Sequence, residues 1–419
     1  MQKKLIALAI AGMVAAPLAM AQSNVTVYGI VDLGYLNSSS SFRGSESDET
    51  GLQETFKGSS KASSTGWDRG GLSPSRVGFR GTEDLGNGLA AHFQVEFGVR
   101  NTTQTGNGFG ADPAGENKDL RVREQNLGLS GDFGRVTIGR QAVLADVAMT
   151  PGLAGMKNGA SGTLYGNAGQ FGARANELVT YVSPNFNGFT ASAQFGSGKT
   201  SAKDADFNAL GVQTDGTSSK ASAKSTTLAL NYANGPLALT AAYDRNQVKS
   251  RTDANTLVPG FNATDVKRST WLVGGNYDFG VVRVFGIYMD GDRDSDTTNG
   301  LNVRDRSGDF KGWEIGAHVP VGDSARLFVS YFNGDFSQKQ ALSTNGVRTG
   351  NVKVSNDTNG WQLGGLYSLS ARTTAYAVWG QQKGSFKSRE TFVGAPGAFD
   401  DERVKSKARD FTVGLRHTF

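Results

Sequence analysis

The chain lacks cysteine and has little proline or histidine. Its 419 residues include no Cys, 9 Pro and 3 His. The absence of cysteine excludes disulfide scaffolds, thiolate zinc sites, iron–sulfur clusters and cysteine nucleophiles. Three histidines, His92, His318 and His417, leave little for a metal centre, so we expect neither a metal nor another cofactor. Scarce proline and the absence of a three-residue glycine period exclude collagen.

A strong charge of one sign and long apolar runs are also missing. The 43 basic and 38 acidic residues give a formal net charge of +5. A nucleic-acid-binding protein usually concentrates a larger basic excess, so we expect no nucleic-acid partner. After residue 21 no stretch approaches 18 apolar residues, the length that marks a membrane-spanning helix.

Glycine and aromatic residues are abundant instead. The chain has 57 Gly, 24 Phe, 11 Tyr and 5 Trp, which is too many aromatics for a chain that never packs. At the amino terminus Lys3 and Lys4 precede an apolar stretch that ends at Ala19-Met20-Ala21. This arrangement predicts a signal peptide over residues 1–21, cleaved near Ala21 during export. No linker or change of composition divides residues 22–419, so we expect a single domain there.

Short segments of alternating polarity recur along the chain. Val25, Val27, Val31, Leu33 and Tyr35 share one parity, and mostly polar or small residues fill the other. Such alternation predicts β-strands. Similar segments follow near residues 91–99, 237–244, 313–319, 327–332, 361–368 and 411–419.

Connections between these segments are alternately short and long. The short ones contain pairs such as Asn87-Gly88 and Asn234-Gly235, which favour the positive φ of tight hairpins. The long ones are rich in Ser, Thr, Asn, Asp, Lys and Gly, and they are expected near residues 37–74, 100–120, 141–175, 197–224, 247–267, 291–310, 335–358 and 383–406. Seven short turns and eight long loops separate sixteen strands.

A soluble sandwich of two sheets also alternates in polarity. Here the polar parity carries glycine and isolated charges, while aromatic residues gather near strand ends on the apolar parity. That distribution is typical of a lipid-facing band with aromatic girdles around a wet lumen. The pattern therefore favours an all-β, 16-stranded antiparallel transmembrane β-barrel with long extracellular loops over a sandwich.

Several motifs resemble the general, trimeric porins of Gram-negative bacteria, particularly those of β-proteobacteria. They comprise VTVYGIVD at 25–32, SRVGFRGTEDLGNGL at 75–89, LGLSGDFG at 127–134 with IGRQ at 138–141, YVSPNFNGF at 181–189, and VGLRHTF at 413–419. The resemblance covers the whole mature chain, and it implies a homotrimer in the outer membrane that conducts ions and small hydrophilic solutes passively. It further implies contact with outer-membrane lipid and lipopolysaccharide, and assembly by the barrel-insertion machinery through the terminal Phe419.

The resemblance also implies a constriction between wall arginines and an inward-folded third loop. The basic wall predicted in this way comprises Arg76, Arg80, Arg121, Arg123, Arg140 and Arg174. The loop contributes Asp146, its only acid, and Lys157, and lacks the paired acids that many relatives place near its tip. Because a ring of one charge favours the opposite ion, we expect an anion-leaning or weakly selective pore. Glu96, Glu124 and Glu177 could offset the arginines if they point into the lumen.

Other functions find less support in the sequence. A phosphate-loop ending at Gly196–Thr200 lacks its first glycine, and the Asp290–Asp296 segment lacks the glycine and glutamate of a calcium-binding EF-hand, although a weak surface site for divalent ions stays open. No serine motif accompanies a histidine, so we expect no enzyme. A substrate-specific channel and an adhesin acting through the long loops remain the alternatives.

Overall fold

The computed structural model describes most of the region predicted to form the mature chain. It describes residues 24–47, 54–69, 71–99, 120–149, 164, 174–203, 206–207, 213–214, 218–253, 261–299, 302–344, 347–393 and 399–419. The predicted signal peptide and Lys157 lie outside these residues. No helix within them is long and apolar enough to cross a membrane.

Strands make up nearly all of the described chain. Their bounds are β1 Asn24–Ser47, β2 Glu54–Arg69, β3 Arg76–Gly86, β4 Leu89–Val99, β5 Leu120–Gly131, β6 Gly134–Ala142, β7 Arg174–Val182, β8 Phe189–Lys203, β9 Asp206–Phe207, β10 Gln213–Thr214, β11 Ser218–Asn234, β12 Leu237–Asp253, β13 Phe261–Asp278, β14 Arg283–Asn299, β15 Asn302–Val321, β16 Ala325–Thr344, β17 Val347–Ser368, β18 Thr373–Phe392 and β19 Phe399–Thr418. One short helix, α1, spans Leu144–Ala148.

The strands close into an antiparallel barrel. From β3 to β8 and from β11 to β19 each strand pairs with the next, and β8 pairs with β11. The barrel closes where β1 pairs with β19 from Ile30↔Thr418 to Ser47↔Asp401, while β9 and β10 form a separate two-stranded sheet. On its other edge β1 pairs with β3 in its first part and with β2 in its outer part. Because β2 and β3 share one position, the seventeen strands of this sheet occupy sixteen positions in the described barrel. The predicted 16-stranded antiparallel barrel is confirmed.

A buried polar cluster explains the break between β2 and β3. The Asp32 carboxylate accepts hydrogen bonds from the Tyr376 hydroxyl at 2.7 Å and from the Leu72 and Ser73 backbone N–H groups at 3.2 and 2.9 Å. The Tyr376 hydroxyl in turn accepts one from the Gly71 N–H at 2.8 Å. These bonds anchor the connecting segment to β1 and β18, so the backbone leaves the sheet before β3 begins.

Side chains alternate between an apolar outer face and a polar lumen. Leu127, Ile138, Leu228, Leu363 and Leu415 are about half exposed on the outer face. Residues of the opposite parity are buried and largely polar, and they include Asp32, Glu96, Glu124, Thr180, Gln194, Thr227, Asp244, Thr270, Glu314, Ser330, Gln362 and Thr412. The prediction that apolar side chains face outward and polar side chains face the lumen, the reverse of a soluble protein, is confirmed.

The extents expected for six of the eight long loops were wrong, whereas the loops expected near 100–120 and 141–175 do lie between strands. Strands continue deep into the other six, so that β12 and β13 leave only residues 254–260 between them, and β14 and β15 only 300–301. The Asp290–Asp296 segment lies in the middle of β14. In these extensions both faces are polar, so the alternation that marks a strand against a bilayer disappears while the backbone pairing continues.

The short turns lie where glycine and asparagine predict them. Asn87 and Gly88 have φ of 52° and 77°, and Gly235 has φ of 54°. Glycine tolerates these left-handed conformations because it has no Cβ, and asparagine is enriched in them. Because successive strands run antiparallel and short connections alternate with long ones, these short turns lie at one end of the barrel, opposite the long strand extensions.

Candidate functional site

An ion cluster on β3, β4 and β5 forms the centre of the candidate constriction. Glu96 is buried and accepts a hydrogen bond from Arg123 Nε at 2.6 Å, while Arg76 Nε lies 3.7 Å from its other carboxylate oxygen. The Tyr28 hydroxyl also donates to Glu96, at 3.1 Å. One carboxylate therefore holds two of the predicted arginines on the lumen wall.

A second carboxylate organises the neighbouring strands. Glu124 on β5 accepts a hydrogen bond from Arg174 Nε on β7 at 2.8 Å. Between them on β6, Arg140 donates through Nε to the Val122 carbonyl at 3.0 Å and through Nη1 to the Asn176 side chain at 2.7 Å. Arg140 and Arg174 are therefore close enough to share the field of Glu124.

Two β-bulges place these charges together. The register shifts opposite Glu96, so that Arg123 is inserted beside Glu124 and both reach the lumen. A second shift inserts Arg140 on β6 opposite Glu177 on β7, and there Gly139 and Glu177 have φ of 122° and 55°. Bulges re-aim side chains next to functional sites. The adjacent charges Arg123-Glu124, which break simple alternation, were the signal for the first one.

Arg80 and Arg121 flank this cluster. The Arg80 guanidinium lies 5.1 Å from the centre of the Tyr28 ring, on the side of the short turns. Arg121 lies opposite Gly98, on the side of the strand extensions. The structure thus brings four of the predicted arginines together around Glu96 and Glu124, namely Arg76, Arg123, Arg140 and Arg174. Arg80 lies on the short-turn side of this cluster, and Arg121 lies on the side of the strand extensions.

The chain after β6 folds into the barrel, as expected for the third loop. Helix α1 contacts β8, β11 and β12, and the Leu144 N–H donates to the Gln194 side chain at 2.9 Å. Asp146 lies in its first turn and is partly buried. Further along, Leu164 is fully buried and its N–H donates to Glu314 on β15 at 2.9 Å.

An apolar cluster receives this inward segment. It joins the loop residues to the lumen face of β11 to β16, and it comprises Leu144, Ala148, Met149, Leu164, Ala229, Ala242, Leu272, Ile287, Met289, Phe310 and Phe332. Gly312 leaves room for the Leu164 side chain, since a Cβ there would stand 2.5 Å from Leu164 Cδ1. The described loop residues therefore pack on the lumen wall opposite the arginine cluster.

Some lumen residues escaped the sequence reasoning. Arg416 on β19 is half-buried in the lumen, close enough for its charge to act on Asp32 and Arg76. Its position on the polar parity of the last strand was the available signal. Glu96 and Glu124, which the sequence indicated only as charges that could offset the arginines, are the carboxylates that hold the arginines of the wall in place.

His92 contacts a serine that no local sequence motif indicated. Its Nε2 lies 2.5 Å from Ser130 Oγ across the β4–β5 pair, and its Nδ1 lies 3.1 Å from Thr82 Oγ1. A catalytic triad places an orienting carboxylate on that second nitrogen. A threonine hydroxyl stands there instead, so the contact is a strand-to-strand hydrogen bond.

Phe419 completes the closure of the barrel. Its N–H and carbonyl exchange hydrogen bonds with Gly29 at 3.1 and 3.0 Å. Its ring covers Gly29, where a Cβ would stand 2.3 Å from the ring. The terminal aromatic side chain is about half exposed on the outer face.

Comparison with known proteins agrees with this architecture. The sequence profile described as Gram-negative porin matches residues 7–388. The chain belongs to the Gram-negative porin family. It is 30% identical over the full length of both chains to an outer membrane porin protein of Bordetella pertussis. This porin is accordingly an outer-membrane protein that forms a passive diffusion channel, and its family and fold point to a channel rather than an enzyme.

Solved structures share the fold of this porin. An anion-selective porin from Comamonas acidovorans superposes with a TM-score of 0.53 at 23% identity, over 95% of this chain and 100% of that one. The trimer form of the outer membrane protein OmpT of Vibrio cholerae superposes with a TM-score of 0.53 at 17% identity, over 95% of this chain and 99% of that one. At these identities the likeness concerns the fold.

Proposed function

We propose that this porin is a general diffusion channel with a weak preference for anions, set by the arginine wall of β3 to β7. The observation that carries the proposal is the ion cluster in which Glu96 and Glu124 hold Arg76, Arg123 and Arg174. Arg80, Arg121 and Arg140 add positive charge to the same wall. The basic side chains thus outnumber the two carboxylates that organise them.

The strength of the preference follows from this pairing. Each carboxylate cancels part of the field of its arginines, so the wall attracts anions less than six isolated arginines would. A ring of partly compensated positive charge at a narrow point gives selectivity without tight binding, and an ion can leave as easily as it enters. An anion-selective porin exists in the same architecture, which gives the proposal a precedent.

Further parts of the proposal come from the family resemblance. The mature chain is residues 22–419, a single barrel domain released by cleavage near Ala21. It assembles as a homotrimer, contacts outer-membrane lipid and lipopolysaccharide, and is inserted by the barrel-assembly machinery through Phe419. Asp146 and Lys157 of the third loop, with the six arginines, form the constriction.

The zero-current potential in a KCl gradient across a planar bilayer tests the selectivity. We expect a potential of the sign that marks chloride as the more permeant ion, and of modest size. A clear potassium preference would overturn the proposal. A solute-specific channel would instead show block of the current by its solute at low concentration.

Heat-dependent mobility on a seminative gel tests the trimer. The unheated porin should migrate as a trimer and the boiled one as an unfolded monomer. A band that stays monomeric before and after boiling would contradict both the trimer and the heat-resistant barrel.

A further inference from the structure

A basic surface lies on the outer face of the barrel, above the aromatic girdle. The girdle is marked there by the pairs Tyr35–Trp67 and Trp361–Trp379, whose ring centres lie 5.7 and 4.1 Å apart. Above it, the outward parity of β1, β2, β18 and β19 carries Arg43, Lys61, Lys383, Lys387, Arg389, Arg403, Lys405, Lys407 and Arg409. We call these residues the basic face.

Strand pairing sets like charges of the basic face directly opposite each other. Lys383 pairs with Lys407, and Lys387 pairs with Arg403. Arg43 pairs with Lys405 on the other edge of β19. Directly opposed side chains in an antiparallel sheet stand about 4.5–5.5 Å apart at Cβ, and like charges there are destabilising. The arrangement therefore favours an anionic partner that offsets the repulsion.

Positive charges also surround Lys407. Partial desolvation and the neighbouring charges of Arg409 and Lys383 lower the pKa of the Lys407 amine. Within the described residues of this face, Asp401 is the outward carboxylate, and Arg389 already occupies it with two hydrogen bonds of 2.7 Å. The charges nearest the girdle therefore have no outward carboxylate beside them among the described strands.

Hydroxyl groups form the floor between these cations. Lys61, Lys407 and Arg409 surround a cavity of about 390 Å³ whose floor includes Ser39, Ser41 and Ser63. Small hydroxyl side chains leave open space and can donate hydrogen bonds, while the long basic chains supply charge from the rim. This combination suits phosphate oxygens.

Height along the strands indicates which phosphate reaches the cavity. Arg409 and Lys407 precede Phe411 by two and four residues, which is about 7 and 13 Å along a strand. Strand tilt of about 35–45° reduces this to roughly 5–10 Å above the girdle, the depth of lipid headgroups. A soluble anion would reach the outer tips of the extensions equally well, whereas the cavity lies beside the bilayer.

We propose that the basic face binds the phosphorylated headgroup of lipopolysaccharide in the outer leaflet, with the cavity between Lys61, Lys407 and Arg409 receiving a phosphate. The inference rests on the lipid contact proposed above and gives it a location. It is independent of the lumen, because these side chains point away from the pore.

Binding of purified lipopolysaccharide to the detergent-solubilised porin, in buffer containing a chelator, tests the inference. The variant K383Q/K407Q removes one opposed pair, and K249Q/K311Q is its control. The control lysines also point outward, but Lys249 and Lys311 face Asp265 and Asp290 at 3.2 and 3.7 Å. We expect K383Q/K407Q to bind about tenfold more weakly or worse, since each basic residue near an anionic lipid surface contributes appreciably, and the control to bind as the wild type does.

Two further arms identify the ligand. Lipopolysaccharide whose phosphates have been removed enzymatically should bind the wild type as weakly as intact lipopolysaccharide binds K383Q/K407Q. Inorganic phosphate in millimolar excess should leave the complex intact, because it lacks the acyl chains that seat the headgroup. Equal binding of the dephosphorylated lipid, displacement by inorganic phosphate, or equal loss in the control variant would each overturn the inference.

Conductance and assembly separate this inference from the channel function. K383Q/K407Q should keep the single-channel conductance, zero-current potential and trimer mobility of the wild type. Dissociation of the variant into monomers would assign the basic face to a subunit contact and overturn the lipid site. A wild type without porin conductance would count against the proposed function while leaving the binding result to stand by itself.

Discussion

The lumen wall from β3 to β7 carries arginines paired with carboxylates, whereas the wall from β11 to β16 carries apolar side chains that hold the inward-folded chain. Glu96 and Glu124 organise the first wall by charge-assisted hydrogen bonds. Phe310, Phe332 and Leu272 form the second wall together with Leu164 of the loop. The arginine wall sets the electrostatic field that a solute meets in the lumen. The apolar wall holds the inward-folded segment, which narrows the pore beside that field.

This division separates the two properties of the channel. Damage to the apolar wall should change the width of the pore while the charge stays in place. Damage to the charged wall should change ion preference while the loop stays seated.

Substitution Phe332→Ala should release the inward segment from the apolar wall. Phe332 is fully buried in the cluster that contains Leu164. Removing a buried phenyl group costs about 3–5 kcal/mol, part of which reflects the cavity it leaves. We expect a larger and noisier single-channel conductance with the sign of ion preference unchanged, measured in planar bilayers.

The neighbouring outward residue supplies the control for that experiment. Tyr331 is about 42% exposed on the outer face, so Tyr331→Ala removes an aromatic side chain without touching the loop. Equal increases of conductance in both variants would show that the apolar wall does not hold the loop.

Substitution Glu314→Leu should loosen the same segment at a polar contact. It removes the acceptor of the buried Leu164 N–H, and a hydrogen bond to a charged group contributes about 1.5–3 kcal/mol. Conductance should rise less than in Phe332→Ala. Glu314→Gln keeps a side-chain oxygen at that place and should conduct like the wild type; a rise in the Gln variant equal to that in the Leu variant would contradict the role of the hydrogen bond.

Substitution Glu96→Gln should make the charged wall more positive and the pore more selective for anions. It removes one negative charge beside Arg76 and Arg123 while an amide oxygen still accepts from Arg123, at a cost of about 1 kcal/mol for the weaker neutral acceptor. The zero-current potential should move further toward anion preference at unchanged conductance. A shift toward cations would show that the two arginines do not face the permeating ion.

An ion pair on the strand extensions lies outside both walls. Its contribution to the stability of the extension should depend on pH. The Arg389 guanidinium, which donates two hydrogen bonds to Asp401, lowers the pKa of that carboxyl. Its folded pKa therefore lies below the unfolded value of about 3.9, so the pair stabilises the extension fully above that pH and stops doing so as pH falls through the folded pKa. Amide hydrogen exchange in β18 and β19, corrected for intrinsic rates, should accelerate slightly below about pH 4.

The variant Asp401→Asn removes the titrating group and should lose that acceleration. Persistence of the same pH dependence in this variant would assign the effect to other carboxyls of the extensions.

The sequence predicted the barrel well because the bilayer imposes a simple pattern. Leu127, Leu228 and Leu415 face outward as their parity required, and the Asn87-Gly88 turn has the expected positive φ. Beyond the girdle that pattern is absent, so the extensions of strands such as β12 and β13 read as loops.

Prediction of the candidate site was less complete, for a local reason. Parity places Arg76 correctly, but a bulge shifts parity by one residue and brings Arg123 and Arg140 beside Glu124. The inward path of the loop depends on contacts of Leu164 with Glu314, 150 residues away. Such contacts between distant positions leave no signal in the local pattern. Arg416 lies within the VGLRHTF motif on the lumen parity of its strand, but nothing in that motif marks it as a residue of the charged wall.

Two matched pairs of arginines allow the most direct test of the division between the walls. R76Q/R123Q removes two positive charges from the charged wall. R268Q/R293Q removes two that pair across β13 and β14 on the lumen parity of the other wall. In a KCl gradient, we predict that the zero-current potential of R76Q/R123Q moves markedly toward cation preference while that of R268Q/R293Q moves little. Equal shifts, or a larger shift in R268Q/R293Q, would contradict the account.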